Sequence, residues 1–189
     1  GMKNVVAPLG TAVTSKQLEI LWRLSPEPIV AFDGDTAGER AAFRLLYLAL
    51  PLVKASKSLR FCIMPSGQDP DDIVSSSGLN GMSELIKSAL PLVDLLWKSK
   101  VNGKIFDSPE RKALLDIELK RSLKDISDNN LRNYFRMALS EKKAIFFKQY
   151  FNKSSEKNGR YQRSAVPKKF TFEQPVDSTK KSLLAYKPT

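Results

Sequence analysis

Between about Val5 and Val74, short β-branched runs alternate with amphipathic segments, and few folds accept that order. The runs "NVVAPLG", "PEPIVAFD" and "KSLRFCIM" are short and apolar, the pattern of strands. Between them lie "SKQLEILWRL" and "TAGERAAFRLLYLALPLVK". The first sets Leu18, Leu21 and Trp22 on one helical face behind a Thr14 to Gln17 capping-box spacing, and the second is longer and strongly apolar. Strand, helix, strand, helix, strand predicts a parallel sheet with right-handed crossovers. Three strands make a small core, and the chain opens almost directly on one of them, so the sheet is expected to lack an N-terminal part of its domain. Gly1 and Met2 read as an expression remnant and stay outside the fold argument.

After Gly78 the pattern turns to helices only. "GMSELIKSALPLVDLLWKSKV" reads as helical with a break near Pro91. "SPERKALLDIELKRSLKDI" opens with Ser108 as N-cap and Pro109 at the first helical position. "DNNLRNYFRMALSEKKAIFFKQYF" aligns Leu131, Tyr134, Phe135, Ala138 and Leu139 in one stripe. Beyond Lys153, eight Lys or Arg residues stand against three acids among scattered prolines, the composition of a flexible basic tail or linker. The expected class is α/β: a partial parallel sheet with flanking helices over residues 3–78, a small antiparallel helical bundle over 79–153, and a basic tail over 154–189. No internal repeat is visible.

Composition narrows the chemistry. With 189 residues, 42% of them apolar, the chain can build one ordinary domain or two small ones. No apolar run approaches the roughly 20 residues of a membrane span, and no leader pattern precedes a cleavage-like site, so a soluble, cytoplasmic protein with no membrane partner is expected. Cys62 is the only cysteine and there is no histidine, which excludes an intrachain disulfide and a Ser-His or Cys-His nucleophile pair and leaves too few soft ligands for structural zinc. Catalysis would have to use carboxylates, lysine, arginine, hydroxyls or an oxygen-bound hard cation. The net charge of +11 suits a polyanionic partner such as nucleic acid, and equally a plain soluble domain with a basic tail.

In "IVAFDGDTAG", Asp33 and Asp35 stand at the C-terminal end of a predicted parallel strand, where open α/β sheets bind their ligands. In extended chain, residues i and i+2 point the same way, so both carboxylates can face one cation, with Gly34 leaving room. Thr36 and Glu39 have capping-box spacing. The plainer alternative is that Asp35 or Thr36 only caps the helix and Asp33 is a solvated strand end. "PSGQDPDDIV" supplies a second acidic group after the next strand: Asp69 before Pro70 suits an N-cap, and Asp71 and Asp72 suit the first turn. Adjacent parallel strands bring their C-terminal ends together, so Asp69 or Asp71 can join Asp33 and Asp35 around one or two cations.

"VVAPLGTAVT", "FDGDTAGERAA" and "MPSGQDPDDIV", in this order and spacing, resemble the TOPRIM core of bacterial replicative primases of the DnaG type. The resemblance is strong over residues 4 to 78 and weaker over the helices to about 150. It implies that Asp33, Asp35 and Asp69 match magnesium-binding aspartates and Asp71 a further acid, with Mg2+ (or Mn2+) as cofactor. It also implies nucleotidyl transfer, in which divalent cations bridge the phosphates and activate the attacking 3′-hydroxyl. The partners implied are a single-stranded DNA template, an RNA primer, ribonucleoside triphosphates and, through a C-terminal domain with no counterpart here, the replicative helicase. The family's upstream strand with its glutamate, its zinc-binding region and its basic N-terminal subdomain also have no counterpart, so no zinc is expected in this segment and the 189 residues alone are expected to be inactive.

Arg40, Arg44, Arg111, Lys112 and Arg121 are candidates for template or nucleotide phosphates, each with a solvated helix face as its plain alternative. Two rival readings come from other classes. "VAFDGDT" resembles the DxDxT strand end of haloacid-dehalogenase-like phosphatases, with Asp33 as nucleophile and Asp35 as general acid, although "DPDD" is badly positioned for that family's further acids. The other is a non-catalytic module that binds nucleic acid through its basic helices and tail.

Overall fold

The structure is a computed structural model that describes residues 2, 4–7 and 12–157. The first helix, α1, spans Ser15–Leu24. Its N-terminus is closed by a reciprocal capping box: Gln17 N–H donates to Thr14 Oγ1 at 3.3 Å and Thr14 N–H to Gln17 Oε1 at 2.8 Å. Leu18 and Trp22, one turn apart, are buried, and the Trp22 indole donates to the Ser58 carbonyl at 2.7 Å, fastening α1 to the approach of the second strand.

Strands β1, Ile29–Phe32, and β2, Arg60–Ile63, pair in parallel from Ile29 with Arg60 to Phe32 with Ile63. Helix α2, Thr36–Ala49, is the crossover between them. Helix α3, Pro70–Lys87, kinks at Gly78, whose φ of 64° belongs to the left-handed region that glycine tolerates. It leads into β3, Leu90–Pro91, which pairs antiparallel with β2. The sheet order is β1-β2-β3, so β1 lies at an edge.

This differs from the expected all-parallel sheet. The "NVVAPLG" run was expected as a strand, but residues 4–7 form none, and 8–11 lie outside the described residues. Val5 and Val6 are 63% and 70% exposed: β-branched residues favour strands only when a neighbouring strand and a packed face accept them. The third strand is instead the short β3, which contains Pro91, the residue at which a helical break was expected.

Helices α4, Leu92–Val101, α5, Pro109–Lys124, and α6, Asn129–Lys157, follow. Ser108 caps α5, accepting from Arg111 N–H at 3.3 Å, with Pro109 at the first position as the sequence indicated. Each of the three helices packs on the other two, and α4 also packs on α2. Lys142 bonds Asp94 at 2.7 Å and Lys143 bonds Asp116 at 2.9 Å, linking α6 to α4 and to α5. On α6 the inward side chains include Leu131, Phe135 and Leu139, whereas Tyr134, expected in that stripe, is 70% exposed beside Met137 on the outer face. Adjacent helical positions are about 100° apart, too far for both Tyr134 and Phe135 to face a narrow core.

Period-two geometry sends Phe61 and Cys62 of β2 to opposite faces of the sheet. Phe61 joins a core that includes Leu18, Leu46, Leu95, Leu115 and Leu139, drawn from α1, α2, α4, α5 and α6. Cys62 joins a smaller cluster of Met64, Ile73, Met82 and Ala89 under α3. The larger core thus runs without interruption between the α/β segment and the later helices. Residues 154–157 continue α6, and the rest of the expected basic tail, 158–189, lies outside the described residues. No helix among the described residues is long and apolar enough to cross a membrane.

Candidate functional site

Asp33, Gly34 and Asp35 form the turn between β1 and α2, and Met64 to Asp69 form the turn between β2 and α3. Because β1 and β2 are parallel neighbours, both turns emerge at the same sheet end. Backbone hydrogen bonds fasten them together. Met64 N–H donates to Phe32 O, Gly34 N–H to Gln68 O and Gly67 N–H to Gly34 O, each at 2.9 Å. The approach requires glycine at 34, since a Cβ there would run into the Pro65 carbonyl. Gly38, buried in the first turn of α2, is under the same constraint from the Asp33 carbonyl. Gly67 has a φ of 77° in the second turn.

Within this frame the acids divide by role. Asp35 is the N-cap of α2, its Oδ1 accepting from Gly38 N–H at 2.6 Å. Thr36, expected to take the cap, is instead the first helical residue: the residue before it already has extended backbone and a carboxylate within reach of the free amides. Asp69 is the N-cap of α3 in a capping box, accepting from Asp72 N–H at 2.8 Å while Asp72 Oδ2 accepts from Asp69 N–H at 3.0 Å. Asp33 and Asp71 are exposed and have no hydrogen-bond partner among the described residues.

The structure thus joins the backbones that carry Asp33, Asp35 and Asp69. It does not gather their side chains into one ligand set: among the described residues no three of His, Cys, Asp and Glu are grouped closely enough to hold a metal ion. The donor set is nevertheless all carboxylate and solvent-accessible, the chemistry of hard divalent cations, and each capping aspartate keeps one oxygen outside its cap bond.

The candidate basic residues scatter. Arg40 and Arg44 are exposed on consecutive turns of α2. Arg111 pairs with Asp107 at 2.7 Å on the first turn of α5, and the Lys112 ammonium lies 5.6 Å from the Phe147 ring centre. Arg121 is exposed about 15 Å further along α5 than Arg111. Sequence reasoning passed over the Gly34, Gln68 and Gly67 interlock, although the two glycines beside the acids were its visible trace. Glu39, expected to complete a capping box with Thr36, instead accepts from Asn102 Nδ2 at 3.0 Å and pairs with Lys98 at 3.4 Å, tying the first turn of α2 to the end of α4.

A Toprim-like family model matches residues 1–74. The DNA primase of Rickettsia typhi is 40% identical over 164 residues, which cover 82% of this chain and 27% of that protein. A solved DnaG catalytic core is 32% identical with a TM-score of 0.66, covering 72% of this chain and 44% of its own. A DnaG primase catalytic domain bound to single-stranded DNA is 31% identical with a TM-score of 0.64, covering 70% and 43%. The chain spans about a quarter of the length of the curated relatives it matches. In sequence and in fold it belongs to the DnaG-type primases, as a segment of their catalytic core.

Proposed function

We propose that the chain is the metal-holding segment of a primase RNA polymerase domain, and that its parent protein synthesises RNA primers on single-stranded DNA. Family membership implies use of a divalent metal. The metal is Mg2+, replaceable by Mn2+, with no zinc in this segment. The observation that carries the reading is the pair of acid-bearing turns at adjacent parallel strand ends, locked by the bonds between Gly34, Gln68 and Gly67. Magnesium is commonly held by one or two carboxylates together with substrate phosphates and water, so Asp33 and Asp35 suffice as its protein anchor.

Asp33 and Asp35 hold the cation, and Asp69 and Asp71 extend the negative field from the second turn. A divalent cation held there would supply charge neutralisation for nucleotide phosphates and activation of the attacking hydroxyl. The chain's own contribution is orientation. The cap on α2 fixes one oxygen of Asp35 and leaves the other outside the cap bond, and the interlock joins the two turns. Arg40 and Arg44 meet template or nucleotide phosphates, with Arg111, Lys112 and Arg121 as secondary contacts. The division of the chain into residues 3–78 and a following helical part belongs to the same reading, with α6 running past the expected boundary at 153 to Lys157. The partners are single-stranded DNA, as in the bound relative, together with the RNA primer, ribonucleoside triphosphates and, through a C-terminal domain of the parent, the replicative helicase in the cytoplasm. The 189 residues alone are inactive.

Template-directed primer synthesis by the complete parent protein tests this. Asp33→Asn should reduce the rate by about 100-fold or more while the protein stays folded. A phosphoenzyme trapped on Asp33 would replace this reading with the phosphatase alternative, absence of any primer synthesis by the complete parent would leave the binding module, and undiminished synthesis by the variant would remove Asp33 from the metal site.

A further inference from the structure

Arg40, Arg44 and Tyr47 occupy positions i, i+4 and i+7 of α2, and all three are exposed. Such spacing lines them up on one face, about 6 Å per step. The stripe begins beside Thr36 and Ala37, which are exposed in the turn capped by Asp35, so one end adjoins the acid-bearing turns. Asp35 and Tyr47 are separated by about 18 Å along the helix axis.

Neither guanidinium has a hydrogen-bond or ion-pair partner among the described residues. Lys98, Lys104, Arg111, Lys142 and Lys143, by contrast, are each drawn to a carboxylate. Tyr47 closes the stripe with a pinned ring: its hydroxyl lies 2.9 Å from Ser99 Oγ, and the Lys100 ammonium stands 5.0 Å from the ring centre. Tyr47 as a residue is still 39% exposed. Lys100 also lines an open cleft of about 360 Å³ with Lys104, Arg111 and Glu118, and since Lys104 pairs with Glu118 and Arg111 with Asp107, the positive charge beyond Tyr47 comes from Lys100.

We infer that this face of α2 is a path for a single strand of nucleic acid running from the acid-bearing turns toward α4, with Arg40, Arg44 and Lys100 on phosphates and Tyr47 stacked against a base. The inference rests on the primase reading for its ligand class and adds the track, its direction and its aromatic contact. Two unpaired arginines one turn apart suit consecutive phosphates. A half-exposed tyrosine held by two neighbours loses little freedom when a base stacks on it. Duplex DNA keeps its bases inside the helix and cannot use that ring, so the ring favours a single strand.

Fluorescence anisotropy of the 189-residue chain with a labelled oligothymidine of about 12 nucleotides tests the path. The Arg40→Ala, Arg44→Ala double variant should bind at least about tenfold more weakly and lower the salt slope by about two. Tyr47→Ala should lose about tenfold, and Tyr47→Phe should lose clearly less, because stacking needs the ring while the hydroxyl only holds it against Ser99. All of these sites face solvent, and matching thermal melts would verify folding. Unchanged affinity in both the double variant and Tyr47→Ala, or equal competition by duplex of the same length, would overturn the path. Asp33→Asn, read by primer synthesis in the parent protein, reports separately on the metal reading. Loss there with unaltered binding in the α2 variants removes only the path, whereas weakened binding with synthesis intact in Asp33→Asn removes only the metal assignment.

Discussion

The Gly34 N–H donates to the Gln68 carbonyl at 2.9 Å, so the turn after β1 and the turn after β2 behave as one unit. Asp33 and Asp35 flank the donor, and Asp69 follows the acceptor. The spacing of the two turns is therefore set by backbone, which substitution of the acids themselves leaves intact.

Gly34→Ala should break this unit. Its new Cβ meets the Pro65 carbonyl, a backbone atom that cannot turn aside, so a cost of about 1 to 3 kcal/mol in urea unfolding is expected. Gly67→Ala, where nothing lies within 4 Å of the added atom, carries only the strain of its left-handed backbone, about 1 kcal/mol. The first substitution should cost more than the second.

Capping and cation binding are separable at Asp35. Asn caps a helix about as well as Asp, so Asp35→Asn should keep its stability and lose cation affinity, while Asp35→Ala should lose both, with about 0.5 to 2 kcal/mol of stability. Thermal melting alongside metal titration of the two variants checks the split.

Because the larger core joins α1 and α2 to α4, α5 and α6, residues 12–148 should unfold in one transition. Leu46→Ala on α2 and Leu119→Ala on α5 should each lower the same midpoint, by about 2 to 5 kcal/mol. Two separated transitions in far-ultraviolet circular dichroism would show instead that the two segments fold independently.

How far the residues alone reveal this arrangement varies by element. β1 and β2 were readable because each is a short apolar run that ends in acids or turn residues, and α5 because Ser108 and Pro109 announce its start. "NVVAPLG" misled because strand propensity is local whereas strand pairing is not. Asp35 and Thr36 were ambiguous because both are capping residues at neighbouring positions, and only the backbone angles decide which one stands outside the helix. The interlock of Gly34 with Gln68 depends on main-chain atoms brought together by parallel pairing, and only the glycines at 34 and 67 mark it in the sequence.

Burial under α3 raises the Cys62 thiol above its ordinary pKa. The folded protein then holds this proton where the unfolded chain, near pH of about 8.5, has released it. The resulting stability is complete below that value and is lost as pH rises through the folded pKa. Native chain should react slowly with iodoacetamide at neutral pH, and its urea midpoint should fall as pH passes 9 or so.

The most direct test of the account is Mn2+ titration of the 15N-labelled chain, followed by paramagnetic broadening of amide signals. The amides of residues 33–38 and 66–72 should broaden together at the lowest Mn2+ additions, and the effect should disappear in the Asp33→Asn, Asp35→Asn double variant. Broadening that begins elsewhere in the chain, or that persists unchanged in the double variant, would contradict a cation centre built on these two turns.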